Sequence, residues 1–187
     1  ADDLGRLDPA AIARVRKEAW PEAATPDEMH DALMMLGAIA EDEAAAVAHW
    51  PALLAALADD ARAARVSVGG EAAVWVAVER LPLLRALHPE ATIRPEVAVP
   101  DEYAVAWTRE AALLELVRAR LGGLGPVTAE ALAAPLGLAA SALLPALHAL
   151  EHEGTAMQGW FCGDTAGPVQ WCERGLLARI HRETLGR

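Results

Sequence analysis

A mainly helical α+β fold, laid down twice along the chain, is what three observations in this sequence predict. Apolar residues make up 54% of the 187 residues, yet Phe and Tyr occur once each. Ala and Leu therefore carry the apolar content, which favours helix and leaves aliphatic side chains to fill the core. Twice, a series of helical segments gives way to a β-hairpin pattern, at residues 65–78 and again at 156–172. The passage out of each hairpin also repeats: Trp75 leads through Glu79 and Arg80 into LPLLRALH, and Trp171 through Glu173 and Arg174 into GLLARIH. Self-similarity at a spacing of roughly 90 residues marks a repeated unit. Helices followed by a hairpin form the winged-helix arrangement, a relative of the helix-turn-helix. The expected units are residues 1–100, acidic, and residues 101–187.

Each element has a local reason. Asp8-Pro9 starts a helix over AAIARVRKEAW that Pro21 ends. Thr25-Pro26 opens DEMHDALMMLG, with acids in its first turn and Gly37 at its end. A short acidic helix follows at 41–47, and a long one runs from 51 through 64 with Leu53, Leu54 and Leu57 inward. Residues 65–68, the Gly69-Gly70 turn and residues 72–78 read as a hairpin, and a helix at 83–87 stops at Pro89. A proline-rich connector covers 93–100. Thr108 then caps a helix to Leu121 that Gly122-Gly123 end, Thr128 caps AEALAAPLG, and a third helix spans 139–153 before Gly154. MQGWF, a CGDTAGP turn and VQWC form the second wing, residues 156–172, and a closing basic helix takes 173–187.

The formal charge is −11, and it is unevenly spread. Residues 1–105 hold 19 acids against 9 bases, whereas residues 106–187 hold 8 against 7. Docking of a polyanion depends on the local potential at the contact face rather than on the global sum. Lys17 is the single lysine beside fifteen arginines. Arginine suits phosphate forks and base stacking, although a GC-rich coding sequence produces the same bias. Cys162 and Cys172, with no CxxC pair, are expected as reduced thiols in a cytoplasmic protein. No apolar run approaches the roughly 20 residues of a membrane span, and no signal peptide is visible. A soluble protein without a membrane partner is expected. The chain begins on alanine and stops inside a helical pattern, which reads as a piece of something longer.

The closing helix supplies the candidate binding residues. At helical spacing Leu176, Leu177, Ile180 and Thr184 share one side, and Arg174, Arg179 and Arg182 the other, with His181 at the margin. The arginines would contact phosphate; the plainer reading is a solvated face or salt bridges to a neighbour. Trp160 and Trp171 fall on the wing strands. Stacking on an unpaired base is worth roughly 1–3 kcal/mol per aromatic; the plainer reading is that they seal the wing against the core. Trp160, near the turn, is the candidate for exposure, and Trp171, adjoining the closing helix, the candidate for packing. The third helix of the second unit puts Leu143, Leu144, Leu147 and Leu150 inward and Ser141, Pro145, His148 and His152 outward. It carries no lysine or arginine, so it cannot read guanine edges bidentately.

Two metal patterns are present and neither is favoured. His148-Ala-Leu-Glu151-His152 matches HxxEH but lacks a clear further carboxylate ligand, and Cys162 with Cys172 would need two histidines to complete a structural site. No metal is expected. The acidic faces at Asp27, Glu28, Asp31 and at Glu41, Asp42, Glu43 cap helices and aid solubility, or form a docking surface for a basic partner. His30, Met34 and Met35 read as core or edge packing.

GLGPVTAEALAAPLG, LHALEHEG and WCERGLLARIHRETL together resemble the large helicase-related (Lhr) family of superfamily 2 DNA helicases. In that family a stretch of the type WCERRLLARIHRYTL follows the ATPase core and ends a winged-helix segment. LDPAAIARVRKEAWPEAATPDEMHDALMMLGAI is similar to the segment just before it. The resemblance spans most of the chain and departs at Gly175, often arginine in the family, and at Glu183, often tyrosine. It implies an accessory region of an ATP-dependent, 3′-to-5′ translocating helicase of DNA repair, with ATP and Mg²⁺ held in the parent's motor domains. No GxxxxGK[ST] loop or DEAH-like box occurs in this sequence, so no cofactor and no ATP chemistry are expected here. The expected role is a non-catalytic module that binds and positions single-stranded or junction DNA, its first unit a spacer docked on the motor domains. One alternative is a structural interaction module without DNA contact. Another is a glycosylase-like enzyme, for which Gln158 and Gln170 are the only glutamines available.

Overall fold

A computed structural model describes residues 6–186. The first helix is α1 (Pro9–Ala19). Then come α2 (Pro26–Leu36), β1 (Ile39–Ala40), α3 (Glu41–Ala45), α4 (Trp50–Asp59), β2 (Ala63–Gly69), β3 (Ala72–Ala77), α5 (Leu81–Leu87) and β4 (Ile93–Arg94). The second half runs α6 (Arg109–Leu124), β5 (Val127–Thr128), α7 (Ala129–Ala133), α8 (Ala140–His152), β6 (Ala156–Gly159), β7 (Gln170–Glu173) and α9 (Arg174–Leu185). Both halves pair their strands in the order first, third, second: β1-β3-β2, extended by β4, and β5-β7-β6, antiparallel throughout. Helices followed by an antiparallel ribbon recur in both halves, and the α+β class predicted from sequence holds.

Helix starts follow the caps read from sequence. Asp8 Oδ1 accepts the Ala10 N–H, and Thr25, Thr108 and Thr128 accept from the residue three ahead at 3.1–3.2 Å. Glu173 caps α9 by accepting from both Gly175 and Leu176 at 2.8 Å. Such caps satisfy amide groups that the helix leaves without partners.

Several expectations change. Helix α4 stops at Asp59, not at residue 64, because Ala61 turns the chain with φ 57° and Ala63-Ala64 enter β2. The connector supplies a strand, with Ile93 and Arg94 pairing on Val66 and Arg65 of β2. Gly122-Gly123 do not end α6, which continues to Leu124. Gly123 marks instead where α2 crosses α6: a Cβ there would fall 2.4 Å from the Leu36 Cδ2. Leu144, expected inward, is exposed. Arg187, the expected last residue of the closing helix, lies outside the described residues.

Helix α1 lies antiparallel along α9, at the opposite end of the chain. Ala11, Ile12 and Val15 pack with Cys172, Leu176 and Ile180. The sheet of the first half is covered on both faces. Ala63, Ala77 and Ile39 join α2 and α4 in one cluster. Val66, Val68, Val74 and Val76 face the other way, into a core shared with α5, α6, α8 and Trp171. The two halves are thus joined by a common interior.

Two polar or steric fits fix that junction. Arg120 of α6 is 1% exposed; it donates to the Ala38 carbonyl (3.0 Å) and to Glu43 (2.7 Å), with its guanidinium 5.9 Å from the ring centre of Trp20. Strand β2 shifts register between Ser67 and Gly69, which leaves Val68 as a bulge. Val68 meets Gly137 so closely that a Cβ on this residue, already at φ 67°, would sit 2.5 Å from the valine carbonyl oxygen. His88 adds a hydrogen bond to the Leu136 carbonyl at 2.9 Å. No single helix among the described residues is long and apolar enough to cross a membrane; the α7–α8 pair is bent by 118°.

Candidate nucleic-acid interface

On α9 the apolar stripe turns toward α1, with Leu176 and Ile180 buried. Full burial of an aliphatic side chain of this size stabilises by about 1.5–3 kcal/mol. Arg174, His181 and Arg182 point outward and are exposed. Among the described residues neither Arg174 nor Arg182 makes an ion pair.

Arg179 departs from the predicted arginine stripe. It sits between the open side and the buried stripe, within reach of α1, and is ion-paired with Glu18. The reciprocal pair joins Arg14 to Glu183 at 2.7 Å, which raises the arginine above its ordinary pKa. Thr184 Oγ1 accepts the Asp8 N–H at 3.0 Å in the same seam. Glu183, where the resembled family often has tyrosine, has a structural use here. Sequence periodicity separated the sides of α9 but gave no sign that α1 would lie along it.

The two wing tryptophans part company. Trp171 is 1% exposed, packed in the shared core with the His148 ring edge-on at 5.2 Å. It cannot offer a face to a base, which removes it from the candidate contact residues. Trp160 lies just beyond β6, in the loop 160–169 rather than on the strand, and is 47% exposed. Its Nε1–H donates to the Gly167 carbonyl at 3.0 Å. Asp164 Oδ1 accepts from Ala166 and Gly167, and Gln170 Oε1 accepts from Cys162 N–H at 3.0 Å. The indole is therefore presented from a loop held by its own hydrogen bonds. The Asp-Thr-Ala-Gly stretch was the available signal for such an Asx turn.

Arg174 donates its backbone N–H to the Thr155 carbonyl at 2.8 Å, at the base of the β6–β7 ribbon. Trp160 is at the other end, roughly 15 Å away by strand rise. The outer side of α8 carries Leu144, Pro145, His148 and His152 and no lysine or arginine. Glu151 is engaged there by Gln158 at 3.1 Å. Among the described residues no three His, Cys, Asp or Glu side chains gather to hold a metal. Cys162 is exposed, whereas burial pushes the Cys172 thiol up to about 12.

Residues 5–88 match the family model described as the winged-helix domain of large helicase-related protein. Over 189 aligned residues, 96% of this chain, it is 30% identical to a Mycolicibacterium smegmatis protein described as "Lhr helicase/ probable uracil glycosylase". The chain spans 12% of that relative's length. These matches make residues 5–88 similar to the winged-helix domain of the large helicase-related family, and the chain similar to part of one Lhr helicase.

Proposed function

We propose that this chain is a non-catalytic module that binds and positions DNA for an ATP-dependent, Lhr-type repair helicase. The contact face is the outer side of α9 together with the tip of the second wing. Arg174 and Arg182 meet phosphates, His181 lies at their margin, and Trp160 stacks on an unpaired base in a single strand or at a junction. The observation that carries this reading is the presentation of Trp160. Its one polar atom is satisfied by Gly167, so the ring is held in place while nearly half its area stays open. The absence of Arg and Lys from α8 argues for backbone and stacking contacts over groove reading. ATP and Mg²⁺ belong to motor domains elsewhere in the parent protein.

A second reading, docking on motor domains without DNA contact, is favoured by the use of Arg179 and Arg14 in ion pairs between α1 and α9. A glycosylase reading draws on the description of the mycobacterial relative as a probable uracil glycosylase. It gains no support from Gln158 and Gln170, whose side chains are engaged by Glu151 and Cys162.

Titration of a labelled single-stranded oligonucleotide across a salt series separates the readings. Trp160→Ala should weaken binding by about 1–3 kcal/mol without lowering the melting temperature. Each lost arginine contact should flatten the salt slope by roughly 0.7 on single strands. Unchanged affinity of the Trp160 variant would refute the stacking role, and no binding by the parent chain would leave the docking reading.

A further inference from the structure

A second surface lies where α1 turns into α2, and one of its lining residues, Glu18, reaches α9 through Arg179. The groove there has a volume of about 480 Å³. Its floor is apolar, formed by Trp20, Pro21 and Met35, and its rim carries Glu22, Glu28 and Asp31. Met35 is 49% exposed on a helix whose neighbouring apolar residues Met29, Leu33 and Leu36 are fully buried. Helix amphipathicity therefore does not explain it.

The floor is firm. Trp20 stacks on Trp50, with ring centres 6.0 Å apart, and takes the buried Arg120 guanidinium against its ring. The rim has charge to spare. Glu28 spends one oxygen on the Ala24 N–H and the Thr25 hydroxyl in capping α2. Glu22 and Asp31 make no ion pair among the described residues. Glu18 is engaged by Arg179, and among the described residues Lys17 is the one basic residue lining this groove.

We infer that the α1–α2 groove is a docking site for a basic protein segment, one that seats an apolar side chain on Trp20, Pro21 and Met35 and sets arginine or lysine against Glu22 and Asp31. An apolar floor within a charged rim is the arrangement of a specific protein contact, and the sign of the rim selects a cationic partner. The same sign repels nucleic acid, so this face and the second wing have opposite preferences. The inference does not depend on DNA binding by the wing.

The test uses the whole 187-residue chain and a fluorescein-labelled peptide of alternating arginine and leucine. A control peptide carries glutamate for arginine, and labelled single-stranded DNA is a third probe. Amide chemical shifts should move at residues 17–35 with the basic peptide and stay still with the acidic peptide and with DNA. Glu22→Lys combined with Asp31→Lys, both on exposed positions, should weaken the basic peptide roughly tenfold. Met35→Ser should weaken it less, and circular dichroism should show an unchanged melting curve for both variants. Equal binding of the two peptides, shifts concentrated elsewhere, DNA in the groove, or no effect of the charge reversal would each overturn the inference.

Discussion

The first wing turns through Gly70 and Glu71 between β2 and β3, and its bulged Val68 presses into Gly137 of the other half. The second spends residues 160–169 on the same connection, closes that loop with its own hydrogen bonds and leaves Trp160 open. The strands differ in the same direction. Strand β3 is apolar throughout and β2 is broken only by the partly covered Arg65 and Ser67, whereas β6 shows Met157 and Gln158 to solvent. One plan therefore produces a wedge between halves in the first case and an outward display in the second. What separates them is turn length and how far each ribbon is covered by the rest of the molecule.

The comparison can be broken most severely at the junction. Arg120→Ala empties a buried site, takes the donor from the Ala38 carbonyl and removes the cation from Glu43, which is partly exposed and keeps the Ala40 N–H; it should cost about 2–5 kcal/mol. Calorimetry should then show a large fall in melting temperature. A variant as stable as the parent would mean that the halves do not need each other. Gly137→Ala tests the wedge itself. Its added methyl meets Val68 at a left-handed backbone position, so a loss of about 1–3 kcal/mol is expected. Denaturant midpoints measure it, and Gly163→Ala, which shares the left-handed backbone at φ 87° but meets nothing closer than Arg6 Nε at 3.8 Å, should cost less.

Smaller effects sharpen the contrast between paired and open arginines. Arg179→Ala removes a half-exposed ion pair to Glu18 and should lower stability by about 0–1 kcal/mol while leaving oligonucleotide affinity unchanged. Arg182→Ala should do the reverse. The smallest effect is in acid. Arg65 holds Glu41 below its ordinary 4.5, and Thr155, with Arg118, holds Glu153 below the same value. A carboxylate lowered by folding contributes stability that is complete above the ordinary range and lost as pH falls through the lowered value. Urea midpoints should therefore decline below pH 4.5, and Glu41→Gln should remove the share that belongs to the first half.

Much of this fold can be read locally. Thr25, Thr108 and Thr128 announce their helices because a cap depends on residues three apart. The hairpins are legible for the same reason. What escaped are the contacts made across long separations. Arg14 with Glu183, Arg179 with Glu18 and Gly123 with Leu36 each join distant segments. No periodicity within α9 reports that α1 will lie beside it. The glycine pair in α6 looked like a stop because the crossing helix was out of sight. For the candidate site, the exposed Trp160 and the packed Trp171 matched the positions argued for them from the turn and the closing helix, whereas the arginine stripe lost one member to a partner more than 150 positions away.

The hydrogen bond from Asp8 to Thr184 brings the first and last helices of the chain to one spot. Polypeptide leading into α1 and polypeptide leading out of α9 would therefore pass side by side, like the two wires of a plug. A short flexible tether joining the start of α1 to the end of α9 should circularise the molecule with little distortion. The loop bearing Trp160 would then be the natural place to open it again, and the Val68–Gly137 contact would stay whole.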